Sequence, residues 1–133
     1  MTRVLVCGGR DFAHRGLMRR VLFQHLSAGD TLIHGNTRGA DRMSGEVCPS
    51  GVDVKKFPAK WNRYGASAGP IRNQQMLDEG KPDLVIAFPG GRGTADMVRR
   101  AELAGLRVIR VESNAGPALD SRNSCVERIG KSS

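Results

Sequence analysis

Arginines that follow paired glycines are the residues of this sequence best suited to chemistry. Gly8-Gly9-Arg10-Asp11 and Pro89-Gly90-Gly91-Arg92-Gly93-Thr94 each come directly after an apolar run. Glycine lets a backbone approach a ligand closely, and arginine can bind a phosphate through two parallel hydrogen bonds. A helix that begins at such a loop directs the positive end of its dipole at the same place. The pattern therefore predicts a binding site for an anion.

Two further segments carry the same combination of glycine and arginine. They are Gly35-Asn36-Thr37-Arg38-Gly39-Ala40-Asp41 and Gly69-Pro70-Ile71-Arg72-Asn73. We expect the arginines of all four segments to line one cleft, where they repel each other unless an anion is bound or nearby Asp11 and Asp41 pair with them. The predicted ligand-binding residues are Gly8, Gly9, Arg10, Asp11, Gly35, Arg38, Gly39, Ala40, Asp41, Gly69, Arg72, Asn73, Pro89, Gly90, Gly91, Arg92, Gly93 and Thr94.

Several common catalytic and cofactor motifs are absent from the sequence. No loop has the lysine that a Walker phosphate loop needs, and Asp96 stands where the third glycine of a dinucleotide motif belongs. The three cysteines are widely spaced without a CxxC pair, and the three histidines lack metal-ligand spacing. We therefore expect neither an NTP hydrolase nor an NAD oxidoreductase, and no metal or cofactor.

Strand and helix patterns alternate along the first 111 residues. Apolar runs predict strands at 3–7, 31–34, 52–57, 84–88 and 107–111, and helical spacing predicts helices at 14–27, 39–48, 67–79 and 95–104. A loop holding Trp61 and Tyr64 follows the third strand. Strands that are apolar throughout favour a parallel sheet covered on both faces. We predict a doubly wound, three-layer α/β fold of five strands in the order 3-2-1-4-5, with ligands bound between strands 1 and 4.

Length and charge limit the remaining possibilities. The 133 residues fit one domain at 1–112, and we expect 113–133 to be a partly disordered tail with a short helix near 125–129. The net charge of +8 favours anionic partners. No apolar run approaches the roughly 20 residues of a membrane span. The sequence opens on a strand pattern rather than a leader, so we expect a cytoplasmic protein.

The segment Pro89-Gly90-Gly91-Arg92-Gly93-Thr94 resembles the PGGxGT signature of the SLOG superfamily, which includes the Lonely Guy phosphoribohydrolases and the DNA-processing protein A family. The closer resemblance, to the YspA-like, YpsA-related branch, rests on motifs at 7–12, 34–41, 68–76 and 88–97 and covers 3–111. It implies a Rossmann-like domain that binds a nucleotide or a nucleotide-derived ligand. It also implies a homodimer or a larger homo-oligomer.

This sequence departs from the phosphoribohydrolase pattern at the position of the catalytic acid. The phosphoribohydrolases place a catalytic Glu three residues after the Thr of the signature, where this sequence has Met97. Asp96 is then the candidate catalytic acid, and the alternative is that it complements the dipole of its helix, with Thr94 as the N-cap.

Three other side chains have two interpretations each. Asp41 either contacts a ribose or caps a helix, and His34 either reaches the ligand or packs in the core. Trp61 and Tyr64 either stack on a base or anchor their loop.

Three functions follow from these patterns. We favour a module that senses or sequesters a nucleoside phosphate or an ADP-ribose-like ligand. The alternatives are an N-glycosidic or phosphoribosyl hydrolase and a nucleic-acid binder. Nucleic acid ranks third as a partner because the basic residues form no long stripe in the sequence.

Overall fold

A computed structural model of the protein describes residues 1–112, so the predicted tail and its helix near 125–129 lie outside the described residues. Five strands form one parallel sheet in the order β3-β2-β1-β4-β5, which confirms the predicted order. The strands are β1 (Arg3–Cys7), β2 (Thr31–His34), β3 (Asp53–Lys56), β4 (Leu84–Ala87) and β5 (Arg107–Arg110).

Helices cover both faces of this sheet, which confirms the three-layer architecture. The helices are α1 (Arg15–His25), α2 (Ala40–Val47), α3 (Trp61–Tyr64), α4 (Ala68–Gly80) and α5 (Arg92–Leu103). Apolar residues of α1 and α2 pack on one face of the sheet, and those of α4 and α5 pack on the other. The carboxyl ends of the strands and the amino ends of the long helices therefore meet at one edge of the domain.

The central strands are buried on both faces because their side chains alternate between two cores. Val4 and Val6 of β1 face α1 and α2, whereas Leu5 and Cys7 face α4 and α5. All four are nearly or completely inaccessible to solvent. Met97 of α5 is also fully buried in the second core, so it packs as an ordinary apolar residue.

The structure differs from the predicted helices around Trp61 and at the start of α5. The segment around Trp61, expected to be a loop, forms the single turn α3, and a 3₁₀ turn (Gly65–Ser67) links it to α4. Helix α5 begins at Arg92 rather than at residue 95, and its N-cap is Gly91. Thr94 is consequently not the N-cap, and Asp96 lies in the second turn, too far from the helix end to complement its dipole. Glycine is a poor helix former, so the presence of Gly93 led to a predicted start of α5 that is three residues too late.

Residues 1–112 contain neither a helix that could span a membrane nor a side-chain cluster that could bind a metal ion. The helices there are all too short or too polar to cross a lipid bilayer. The same residues contain no cluster of three or more His, Cys, Asp or Glu side chains that could hold a metal ion.

The glycine loops after β1 and β4 pack directly against each other. The backbone N–H of Gly9 donates a hydrogen bond of 2.8 Å to the carbonyl oxygen of Pro89. The carbonyl oxygen of Gly9 in turn accepts hydrogen bonds from Phe12 and Ala40. Gly39 adopts a φ of +87°, and a β-carbon there would overlap the Gly9 carbonyl oxygen. Glycine at these positions thus permits close contact between backbones.

We predict that Gly39→Ala destabilises the domain, by at least about 2 kcal/mol, because it adds both a backbone clash and an unfavourable φ. Gly93→Ala is the matched control, since a β-carbon at this helical residue meets no atom within 4 Å. The control should be as stable as the original protein or slightly more so. Urea denaturation measures both changes, and equal stability of the two variants would contradict the packing described here.

Candidate functional site

A cleft of about 370 Å³ lies at the carboxyl ends of β1, β2 and β3. It is lined by Arg10, Gly35, Asn36, Thr37, Arg38, Arg42, Pro58, Ala59, Trp61 and Arg72. The cleft thus occupies the β1–β3 half of the sheet edge, whereas the sequence placed the ligand between strands 1 and 4. The glycine loops that end these two strands contact each other through their backbones.

The predicted site residues separate into three groups. Four line the cleft: Arg10, Gly35, Arg38 and Arg72. Others pack beside or beneath it: Gly8, Gly9, Asp11, Gly39, Ala40, Asp41, Gly69 and Asn73. The third group, Pro89, Gly90, Gly91, Arg92, Gly93 and Thr94, belongs to the β4–α5 loop and the first turn of α5, and none of these residues lines the cleft.

Arg72 of α4 connects the ends of two strands. Its Nη1 atom donates hydrogen bonds to the carbonyl oxygens of Gly35, at 2.6 Å, and Phe57, at 3.3 Å. Its Nε atom donates to the side-chain oxygen of Asn73 at 3.1 Å. Burial lowers the pKa of Arg72, and the carboxylate of Asp41 opposes that shift. Arg72 therefore fixes the geometry of the cleft as well as contributing charge to it.

Asp41 is buried behind the loop that follows β2. Its Oδ2 atom accepts a hydrogen bond of 3.0 Å from the backbone N–H of Gly35. Burial raises the pKa of Asp41 to about 6, against the lowering effect of Arg72 and of the backbone amides of Thr37 and Gly35. The N-cap of α2 is Gly39, so Asp41 does not cap this helix, and its carboxylate instead holds the loop after β2.

His34 is 1% exposed at the end of β2, which confirms the interpretation of a packed histidine. Its Nδ1 atom accepts a hydrogen bond of 2.9 Å from the backbone N–H of Asn36. Burial, together with the positive charges of Lys56, Arg42 and Arg72, lowers the pKa of His34 to about 4. The imidazole is therefore neutral at pH 7, and it carries no charge into the cleft.

The loop formed by residues 35–37 presents side chains, not backbone donors, to a ligand. The backbone N–H groups of Gly35 and Asn36 already donate to Asp41 and to His34. The polar donors left at the surface of this cleft are therefore mainly guanidinium groups.

The four arginines of the cleft have few acidic partners. Arg38 lies 3.6 Å from Asp11, but both side chains are largely exposed, so this ion pair is weak. Arg42 donates from Nε to the carbonyl oxygen of Asn36 at 3.0 Å. Among the described residues, neither Arg10 nor Arg42 forms an ion pair with a carboxylate. Pairing with Asp11 and Asp41 thus accounts for only part of the cluster.

Asp96 is surrounded by groups that favour its ionised form. Its carboxylate accepts hydrogen bonds from Asn73, Arg99 and Arg100 at 2.7–3.0 Å. Partial burial raises the pKa of Asp96, but the hydrogen bonds from Arg100 and Asn73 outweigh that effect and hold the pKa below its ordinary value. A carboxylate held ionised is a poor general acid, so these surroundings favour a structural role.

The sequence analysis missed part of the cleft. Arg42 was not selected, although it lies in the first turn of the helix that follows Arg38. Asn36, Thr37, Pro58 and Ala59 also line the cleft without a chemical signal of their own.

Comparison with known proteins supports the family assignment. Residues 2–64 match the family model described as YspA, cpYpsA-related SLOG family. The resemblance to this SLOG branch is confirmed. The matched segment runs from β1 through α3, so it includes three of the four cleft arginines and Trp61. A search of curated proteins found no match. A SLOG relationship points to nucleotide-related binding or to ribohydrolase-like activity, without naming a ligand.

We predict that Asp41→Asn changes how stability depends on pH. The folded pKa of about 6 lies above the unfolded value, so ionising Asp41 costs stability as the pH rises from about 4 to 6. His34 acts in the opposite direction over much of this window, since its folded pKa is lowered. The difference between variant and original protein cancels the His34 effect. That difference in unfolding free energy should shift in favour of the variant by about 2 kcal/mol between pH 4 and pH 7.

Urea denaturation at pH 4, 5, 6 and 7 provides the measurement. A difference between the two proteins that is constant across this range would show that Asp41 does not titrate as described. The difference in unfolding free energy can also contain a part that does not change with pH. That part would report only the weaker hydrogen bonding of Asn compared with the Asp41 carboxylate.

Proposed function

We propose that this domain binds a nucleotide-derived anion, a nucleoside phosphate or an ADP-ribose-like molecule, in the arginine-lined cleft, as a sensor or sequestering module. The observation that carries the proposal is the convergence of four guanidinium groups on one cleft whose lining includes no carboxylate. Such a concentration of like charge is unfavourable without an anion. Arginine is suited to phosphate because its planar donors bind two oxygens at once.

The remainder of the cleft suits a ligand larger than a single phosphate. Its volume lies within the range of small-molecule sites. Trp61, Pro58 and Ala59 supply an apolar wall beside the arginines. A ligand with a charged end and an uncharged end complements both parts of the lining.

A binding role agrees better with the site than hydrolysis does. Arginine is the only titratable residue type in the lining of the cleft, and its guanidinium does not release a proton at neutral pH. Asp96 is held ionised by its partners, and Met97 is buried in the core. A proton donor for base release would therefore have to come from the ligand or from water.

A thermal-shift screen tests the proposal. The panel contains nucleoside mono-, di- and triphosphates, NAD, ADP-ribose, cyclic nucleotides and a short single-stranded DNA. A ligand at 100 times its dissociation constant adds about 2.7 kcal/mol, which should raise the midpoint by roughly 5–15 °C. A shift with DNA alone, falling steeply with salt, would favour a nucleic-acid partner instead. Chromatography of the incubated ligand for released base tests hydrolysis.

We predict that Arg10→Ala and Arg42→Ala each weaken binding of the best ligand of this panel by roughly 10- to 100-fold, the usual value of a charge-assisted hydrogen bond. Arg20→Ala is the matched control, because it removes the same charge from an exposed position on α1. Arg92→Ala distinguishes the observed cleft from the site predicted between strands 1 and 4. Titration calorimetry should show full affinity in both the Arg20 and Arg92 variants.

If Arg92→Ala loses affinity while Arg10→Ala and Arg42→Ala retain it, the binding site lies at the β4–α5 loop instead of the cleft. Equal losses in all four variants would indicate attraction by overall charge and would reject a specific cleft.

A further inference from the structure

Trp61 is a half-exposed aromatic residue at the edge of the arginine cleft. It is the first residue of α3 and the only tryptophan of the chain, with 49% of its surface accessible. The Cη2 atom of its ring lies 3.5 Å from where a β-carbon on Gly69 would stand. The far edge of the indole thus approaches the first turn of α4, while about half of the residue faces solvent and the cleft.

Trp61 differs in this respect from Tyr64, its neighbour in sequence. The guanidinium of Arg63 lies 5.3 Å from the centre of the Tyr64 ring, and Tyr64 does not line the cleft. Across residues 1–112, the other guanidinium–ring contact joins Arg19 to Phe23. No guanidinium of these residues therefore covers the ring of Trp61, although four arginines share its cleft.

We propose that Trp61 is the stacking platform of the cleft, on which the planar base of a nucleotide lies while the arginines hold its phosphate. This inference rests on the proposed function and adds the orientation of the ligand to it. An indole ring presents a flat apolar surface to a base, whatever the base is. Pro58 and Ala59, whose side chains are small, line the same cleft.

A purely structural role would require a different arrangement. A tryptophan that only anchors α3 gains most by burying its whole ring. Here about half of Trp61 stays accessible, a greater fraction than for Tyr64, which is 38% exposed. Leucine can preserve an apolar contact with Gly69 but cannot stack, so Trp61→Leu separates anchoring from ligand binding.

The experiment compares two probes that differ only in the base, AMP and ribose 5-phosphate. In the original protein, calorimetry should show AMP binding roughly 5- to 150-fold more tightly, the range of one base stacked on one aromatic ring. In Trp61→Leu this ratio should fall close to one, with the affinity for ribose 5-phosphate unchanged. Tyr64→Leu is the matched control and should retain the full ratio.

Fluorescence provides a second measurement that needs no variant. Because Trp61 is the only tryptophan, the indole emission reports this residue alone. AMP should quench the emission at saturation, and ribose 5-phosphate should not. This readout also decides the question if Trp61→Leu does not fold.

The outcomes separate the two proposals. Equal affinity for AMP and ribose 5-phosphate, or an unchanged ratio in Trp61→Leu, would overturn the stacking role and leave the anion cleft standing. Absence of binding for both probes and for every nucleotide in the panel would overturn the proposed function and the stacking role together.

Discussion

The cleft depends on one half-buried guanidinium that joins three parts of the chain. Arg72 comes from α4, yet its donors bind the carbonyl oxygens of Gly35 and Phe57, which follow β2 and β3. Those two loops form the walls of the cleft, so their separation is set by a single planar group. A lysine could not replace it, since one ammonium lacks the rigid fork that reaches both oxygens and Asn73. The same residue thus supports the fold and the proposed anion site.

A chain of polar contacts extends this constraint to α5. Asn73 accepts from Arg72 and donates to the carbonyl oxygen of Gly93 and to Asp96. Asp96 is in turn bound by Arg100. The first turn of α5 is therefore held in place by the side chain of Asn73 in α4. The signature around Gly93 then has a structural explanation that requires no ligand, which agrees with its absence from the cleft lining.

The fold was predictable because burial on both faces leaves a clear pattern in the central strands. Val4–Val6 and Leu84–Ile86 are apolar without interruption, and such strands belong at the centre of a parallel sheet. The position of the cleft was not predictable in the same way. Strand order brings the loops to one edge, but it does not tell which of them enclose a cleft, because that depends on three-dimensional packing. The short α3 was missed because four residues contain too little periodicity to detect.

The charges around the cleft indicate which anions it can accept. Asp41 lies behind the wall and, with a pKa of about 6, is mostly ionised at pH 7, so it balances Arg72. Asp11 faces Arg38 across 3.6 Å. The two aspartates leave two of the four arginine charges unbalanced, and a dianion such as a phosphate monoester would neutralise them. Protonation of Asp41 below pH 6 would raise the positive charge further. In the proposed function, the buried carboxylate would therefore affect which ligand charge is preferred, although it does not line the cleft.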